Sequence, residues 1–414
     1  MRFGINIIPV LAVMLSGVKA YSQRGDSIKS DSLVSFYTKK MQKYLDKDGK
    51  VIAIVTPTKD GIGIYQPATD TSYRKLVYFE SWVGPAILTR HFLSEILTRR
   101  HFAYVPDKPL KGYVIAIDPG HIGGDLENAK KEKKWVEMKN STAPLIEGNL
   151  TLATAKILKK KLEEQGATVM LTRDKQGVSS FGITYEKWKD SLFLHSLDSA
   201  YIRKDISFEE KNYLLGKAND IDIFRRFFLQ EDLRNRAKKI NAILPDFTLI
   251  IHYNVDETNQ NWNKPTKKNY NMAFVGGGFS SDEFDKPEVG MSCFRLLVSN
   301  DIERSIEFSK YIVEGLVQKT GVPAALDSCA IYLKGNCITT EAPGVFCRNL
   351  ALTRMVWGTL CYGESLYQDN VNEYKALTKD EIVVEGMITS KRVEEVAEGY
   401  FEGIMNYVKN KKDK

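Results

Sequence analysis

Apolar positions along this chain fall into two periods. Short unbroken apolar runs bounded by turn residues read as buried strands of a parallel sheet. The clearest is Val114-Ile-Ala-Ile117, cut by Asp118-Pro119-Gly120 and followed at once by His121. A second, Phe247-Thr-Leu-Ile-Ile251, runs into His252-Tyr-Asn254. Between them, Asn149 to Gln165 carries Leu150, Leu152, Ala153, Ile157, Leu158 and Leu162 at helical spacing and stops at Gly166, the usual helix terminator. Ala167 to Leu171 is the next strand. Strand, helix and strand in this order predict a parallel sheet with helical crossovers. The expected fold is therefore α/β: a mostly parallel twisted sheet with helices on both faces. Arg234–Leu244, Glu303–Lys319 and Ser390–Val408 read as further helices, and Asn271–Val275, Arg348–Thr353 and Val356–Tyr362 as further strands, the last ending at Gly363-Glu364. Asp125 to Ser141 is charged and loop-like. Upstream, Leu33–Leu45 has helical period, Val51–Val55 and Gly61–Tyr65 read as strands, and Leu76–Phe102 as an apolar helical stretch broken near Gly84-Pro85.

Residues just past strand C-termini line the crevice where α/β proteins bind ligands. His121 and His252 both end apolar runs, whereas His91, His101 and His195 do not; His195 reads as a surface histidine. Glu147, in Pro144-Leu-Ile-Glu147-Gly-Asn-Leu150, stands where the first helix starts. An acid there also meets the positive end of the helix dipole, so capping is the competing reading. Two strand-end histidines and one carboxylate make an open three-ligand set of the kind catalytic zinc (Zn2+) prefers, with the fourth position left for water. Asp118 either orients His121 from behind or only makes the Asp-Pro-Gly turn. Arg236 either binds a substrate carboxylate or secures the sheet edge through a bidentate pair. Asn254 either contacts substrate or caps its strand.

These pieces together resemble the zinc-dependent N-acetylmuramoyl-L-alanine amidases of bacterial cell-wall turnover. The matching segments are Ile117-Asp-Pro-Gly-His121 with Gly123-Gly124-Asp125, Glu147-Gly-Asn-Leu150, Val169-Met-Leu-Thr172-Arg173, Arg236 with Ile240-Asn241, Ile250-Ile-His252-Tyr-Asn254, and Glu364 with Asp369-Asn370 and Glu373 behind it. No single segment is specific, but the ordered set is, over residues 112–408. The resemblance implies His121, Glu147 and His252 as zinc ligands and Glu364 as the catalytic carboxylate. It implies hydrolysis of the amide between N-acetylmuramic acid and L-alanine, with peptidoglycan as the partner and room for an activator protein. Glu341 competes with Glu364, but its flank Ala342-Pro-Gly344 looks like a turn.

The chain departs from the family pattern in three places. A stretch near 178–232, rich in aromatics and charges, separates Thr172-Arg173 from Arg236; it reads as helical, and either walls the substrate groove or adds a structural flap. Residues 279–301 form a second insertion, where some family members carry a self-inhibitory helix over the zinc. Leu366 replaces a glycine usual two residues after the catalytic glutamate.

Composition narrows the rest. A hydrophobic fraction of 43% and a charged fraction of 27% are those of an ordinary globular protein. A net charge of +7 suits an acidic polymer such as peptidoglycan; without a basic stripe interleaved with aromatics it does not argue for nucleic acid. Met1-Arg2, an apolar core near Ile7 to Leu15 and Ser16-Gly-Val-Lys-Ala20 read as a secretory signal. The expected organisation is a signal peptide at 1–22, an α+β region of unknown role at 23–110, and a zinc amidase catalytic domain at 111–410. The expected location is exported, in the periplasm or associated with the wall. The five cysteines show no C-x-x-C spacing; Cys329 and Cys337 are close enough in sequence to bridge, and most of the five read as small buried residues. An exported zinc peptidase or deacylase acting on another amide, and a non-catalytic peptidoglycan-binding protein, are the alternative readings.

Overall fold

The computed structural model describes residues 30–58, 61–65, 74–78 and 106–412, except 140, 142, 260, 261, 286 and 331. The expected signal segment and most of the Leu76–Phe102 stretch lie outside these residues. In the N-terminal part, helix α1 (Ser30–Lys40) continues as a π-helical turn over Met41–Leu45. Strands β1 (Val55–Pro57), β2 (Gly61–Tyr65) and β3 (Arg74–Tyr78) form an antiparallel sheet. Two expectations change here: Val51–Ala53 is a single 3-10 turn rather than the start of a strand, and Leu76 to Tyr78 close a strand rather than open a helix. Main-chain bonds tie this part to a later turn, Phe279 N–H donating to Leu45 O at 2.7 Å and Lys47 N–H to Phe279 O at 2.9 Å.

The main sheet is assembled from β4 (Val114–Pro119), β7 (Thr168–Leu171), β8 (Phe247–Asn254), β9 (Met272–Val275), β10 (Ile338–Thr339), β11 (Val345–Cys347) and β12 (Leu360–Tyr367), while β5 (Trp135–Val136) and β6 (Leu145–Ile146) pair with each other apart from it. Its order is β10-β11-β9-β12-β8-β4-β7. The run β7, β4, β8, β12 is parallel, and β9 joins it antiparallel. From β4 the chain first passes to β7 on one side and later returns to β8 on the other. The strand order therefore reverses between β4 and β8, which opens a crevice beyond their C-terminal ends.

Each helix covers one face because its apolar stripe needs a partner. Helix α2 (Leu126–Glu132) is short and caps the crevice, and α3 (Glu147–Glu164) crosses from there back along the sheet. Residues Ile115, Ile117, Leu249 and Ile251 point to the same core as Ala153 and Leu158 of α3. On the opposite face, Ala116, Ile250 and Leu360 meet Ala237 and Ile240 of a later helix.

The 178–232 stretch is helical as expected: α4 (Tyr185–Ser191), α5 (Phe193–Ile202) and α6 (Phe208–Gly216), then a π-helical turn at Ile223–Phe228 that runs into α7 (Leu229–Ile243). It has its own core, Trp188, Phe193, Leu197, Phe224, Phe227 and Phe228, which also holds Ile122 beside the crevice. Helices α8 (Pro287–Val298) and α9 (Asp301–Thr320) follow β9.

Two late segments correct the sequence reading. Residues Ala351–Met355 form a short helix, α10, not a strand: Leu352 and Val356 are buried one turn apart, and Thr353 Oγ1 accepts from Leu350 N–H at 3.0 Å to cap the first turn. Strand β12 does not stop at Glu364 but continues to Tyr367 through a bulge, with Leu366 at φ 29°. The chain closes with α11 (Val371–Leu377), the hairpin β13 (Ile382–Val384) and β14 (Met387–Thr389), and α12 (Lys391–Lys412). Among the described residues no helix is long and apolar enough to cross a membrane.

Candidate metal centre and active site

His121, Glu147 and His252 converge beyond β4 and β8, with one ligand atom from each all within 4.8 Å of one another. His121 has φ 61°, a left-handed conformation that turns its ring back over the strand ends. Its Nε2 lies 3.1 Å from Glu147 Oε1, is buried and makes no hydrogen bond. His252 Nδ1 lies 3.1 Å from the same oxygen. The two rings meet edge to face with centroids 4.7 Å apart. Glu147 is the first residue of α3 rather than the residue before it, so the carboxylate and the helix dipole share one place.

Two glycines of the motifs are there for room. A Cβ on Gly120 would stand 2.3 Å from His252 Cε1, and one on Gly148 would stand 2.3 Å from Gly123 N. Backbone thus packs against ring at the first and against backbone at the second. Arg173 clamps the same loops, donating to Gly120 O at 2.9 Å, Pro119 O at 3.1 Å and Gly148 O at 2.6 Å. Burial, with Arg236 nearby, pulls its guanidinium down to about 9.

The electrostatics suit a cation. Burial raises the Glu147 carboxyl, but His121 and the Lys134 ammonium outweigh it and hold the group well below the usual range. Burial pulls His252 down to about 4, assisted by the His121 and Lys134 charges, which favours the neutral ring that a metal ligand needs. A neutral imidazole, an ionised carboxylate and a buried ring nitrogen without a hydrogen bond, all aimed at one point, fit zinc.

The bond that orients His121 comes from a residue absent from the sequence reading. Glu132 Oε1 is 3.0 Å from His121 Nδ1, and Glu132 Oε2 accepts from Ile122 N–H at 3.1 Å. Glu132 lies in the segment read as a loop; there Asp125 caps α2 by accepting from Asn128 N–H at 2.8 Å. The signal was that cap ahead of a helix-forming run; the dense surface charge hid it. Asp118, the expected orienting group, does not reach the ring. Its carboxylate accepts from Thr172 Oγ1 and, at 3.2 Å, from Arg236 Nη1.

Arg236 is fully buried in this framework: Nε donates to Asp232 at 2.7 Å, Nη1 to Pro119 O at 2.7 Å, and Nη2 to the His121 carbonyl at 2.8 Å. It therefore pins the His121 turn, and its donors point into the protein. Asn254 donates to the Tyr332 hydroxyl at 2.8 Å while its own oxygen accepts from Val255 N–H.

Glu364 is the register partner of His252 on the neighbouring strand, so both side chains leave the same face of the sheet. Burial and the charge of Glu147 push its carboxyl up to about 7. Tyr362, two residues earlier on that face, stacks on His252 at 4.6 Å and 5°. Glu341 is exposed, paired with Lys43 and Tyr44 of the N-terminal part.

A cleft of about 240 Å³ opens over the triad between α7, α10 and the His121 turn, lined by His121, His252, Lys134, Leu233, Leu350 and Tyr362 among others. The 178–232 stretch contributes to this wall through Leu229 and Asp232 at its end. No described residue of 279–301 lines it. Instead Val289, Cys293 and Phe294 of α8 join the core shared with Ile62 and Ile64, and Arg295 donates to Arg354 O at 3.0 Å. The positional likeness to a self-inhibitory helix therefore does not extend to the triad. All five cysteines are free, including Cys329 and Cys337, and His195 is exposed.

A family model described as N-acetylmuramoyl-L-alanine amidase matches residues 115–390. The chain belongs to this family. It is similar to the probable cell wall amidase LytH of Staphylococcus aureus, 42% identical over 65 residues, which cover 16% of this chain and 19% of that protein. To the protein of the same name from Staphylococcus saprophyticus it is 27% identical over 200 residues, 47% of this chain and 57% of that one. The chain thus spans less than two thirds of the length of these two curated relatives. Among solved structures, an N-acetylmuramoyl-L-alanine amidase from Clostridium difficile 630 aligns over 72% of this chain and 97% of its own, with 18% identity and a TM-score of 0.39.

Proposed function

We propose that this amidase-family chain is an exported, zinc-dependent hydrolase of peptidoglycan that cleaves the amide between the lactyl carboxyl of N-acetylmuramic acid and L-alanine. It would thereby release stem peptides during wall turnover or cell separation. The observation that carries the reading is the convergence of His121, Glu147 and His252, with one ligand atom from each within 4.8 Å of the others, and Glu364 on the adjacent strand.

His121, Glu147 and His252 would hold the metal. Zinc held there would supply Lewis-acid chemistry, lowering the pKa of a water towards about 7 and polarising the scissile carbonyl. The remaining work falls to side chains of this chain. Glu364 accepts the proton of the attacking water on its carboxylate and returns it to the amide nitrogen as the C–N bond breaks. A carboxyl raised to about 7 is suited to both halves of that transfer near neutral pH. Glu132 keeps the His121 ring turned with Nε2 inward. Lys134, whose Nζ is 3.7 Å from Glu147 Oε2, offsets part of the negative charge around the site.

The test is zinc content together with release of stem peptide from purified peptidoglycan, for the wild type and Glu364→Ala side by side. The expected result is about one zinc per chain in both, with turnover in the wild type only. Zinc with no peptide release from the wild type would turn the reading to an exported peptidase or deacylase on another amide. A chain that binds peptidoglycan without zinc would be a wall-binding protein.

A further inference from the structure

Among the described residues, most buried or half-buried arginines end on carboxylates or carbonyls; Arg236, Arg295 and Arg392 each meet an acid within 3 Å. Arg348 does not. Its guanidinium carbon sits 5.0 Å from the Phe274 ring centroid and 5.2 Å from that of Tyr332. Among the described residues its side chain has no hydrogen-bond or ion-pair partner, although the residue is half-buried. A guanidinium has five N–H donors in one plane. Two aromatic rings lie beside it and no acid among the described residues pairs with it, so its donors are available to a planar anion.

The placement is specific to the site. On one face of the sheet, Glu364 pairs with Met272, and Tyr362 pairs with Phe274, which pairs with Phe346. Arg348 follows Phe346 by two residues, with its main chain fixed by Arg348 N–H donating to Val275 O at 3.0 Å. Tyr332 closes the clamp from above; its hydroxyl bonds Asn254, two residues beyond the ligand His252. The Arg348 charge is felt at Glu364, where it counters the upward shift. Beside the clamp, a second cleft of about 680 Å³ lies along Phe346, Leu333 and Cys337.

Resting on the amidase reading, we infer that Arg348 is a substrate-binding residue that holds a free carboxylate on the peptide half of the muramoyl-peptide. Two chemical arguments orient the substrate this way. In the scissile amide the lactyl carboxyl of the sugar is already consumed, so the remaining free carboxylates belong to the peptide. The leaving amine also belongs to the peptide, and Glu364, which protonates it, lies on the Arg348 side of the triad. The peptide therefore runs from Glu364 past Tyr332 and Arg348 towards the larger cleft, and the glycan lies on the side of α7 and α10.

The test compares a muramoyl-tripeptide whose free carboxylates are intact with its carboxamide counterpart, using zinc-loaded full-length protein. Kinetics are measured for wild type, Arg348→Met and Arg348→Lys, and binding of the two released peptides by calorimetry. Arg348→Met keeps a long apolar stem between the rings. It should lose at least tenfold more kcat/KM on the carboxylate substrate than on the carboxamide, mainly in KM, while Arg348→Lys recovers part of the difference. Equal losses on both substrates, or none, would overturn the assignment. If the wild type cleaves neither substrate yet binds the carboxylate peptide through Arg348, the subsite stands and the amidase reading falls. If it cleaves both equally and binds neither peptide selectively, the reading stands and the subsite falls.

Discussion

Gly120→Ala tests how tightly the metal centre is built. The added methyl carbon would stand 2.3 Å from His252 Cε1, 2.5 Å from Nε2 and 2.6 Å from Nδ1. Carbon atoms attract best near about 3.5 Å, so the ring would have to retreat by roughly 1 Å. Its far face is stacked on Tyr362 at 4.6 Å, and its edge faces the His121 ring at 4.7 Å. The backbone of Gly120 has little freedom either: its N–H donates to Ile251 O at 2.9 Å, and its carbonyl accepts from Thr151 Oγ1 at 2.6 Å and from Arg173. Metal–ligand distances tolerate only about 0.2 Å. With His252 as the proposed ligand, displacing its ring would remove it from the metal, and zinc affinity should fall by at least about 10²-fold, the upper end for losing only a supporting bond. Overpacking of this kind should also cost about 1–3 kcal/mol of stability. The assay is a competition titration of zinc against a chromophoric chelator, with thermal unfolding followed in parallel. A folded Gly120→Ala variant that binds zinc with wild-type affinity would refute the reasoning, because His252 would then not be a ligand held by this contact.

Other substitutions separate the roles of the surrounding residues. Glu132→Gln should weaken zinc binding by about 10–100-fold in the same titration, since the bond that orients His121 loses its charge; unchanged affinity would assign Glu132 to α2 alone. Glu364→Gln should keep zinc and lose about 10²–10⁴-fold in kcat, read by peptide release. Arg236→Leu should destabilise the fold by about 3–5 kcal/mol in denaturant unfolding, because Asp118 and Asp232 are left buried without their partner. Leu366→Gly should still destabilise: it relieves a left-handed residue, a gain of about 1–2 kcal/mol. It also removes a fully buried side chain, and even Leu→Ala costs about 2–5 kcal/mol. A gain in melting temperature would show that the bulge, not the core, dominates there.

Much of this protein was legible along the chain because the signals are local. An apolar run ended by Pro-Gly announces a strand and its end, and the helix from Glu147 to Glu164 follows from the spacing of its own leucines. The ordered motifs also named the family. Glu132 was not legible in this way. It is one of several charged residues in Lys130-Lys-Glu-Lys-Lys134, and only the packing of α2 across the crevice selects it as the partner of His121. Period likewise misled at Arg348–Thr353, where the burial of Leu352 and Val356 against Ala237 and Ile240 goes with a short helix over Ala351–Met355.

The sequence by itself determined the α/β class, the candidate ligands and the strand ends that carry two of them, since each depends on a few neighbouring residues. Only the tertiary structure decided which alternative each ambiguous residue takes. Arg236 and Asp118 bond to each other beneath the His121 turn because β4 and α7 bring together residues far apart in the chain. Leu366 can stand where glycine is usual because its side chain enters the core while its N–H donates to Asn271 Oδ1 at 3.1 Å. Arg348 lies near Glu364 through the register of three strands, β11, β9 and β12. Such relations are set by long-range pairing, and a linear pattern contains each partner without the distance between them.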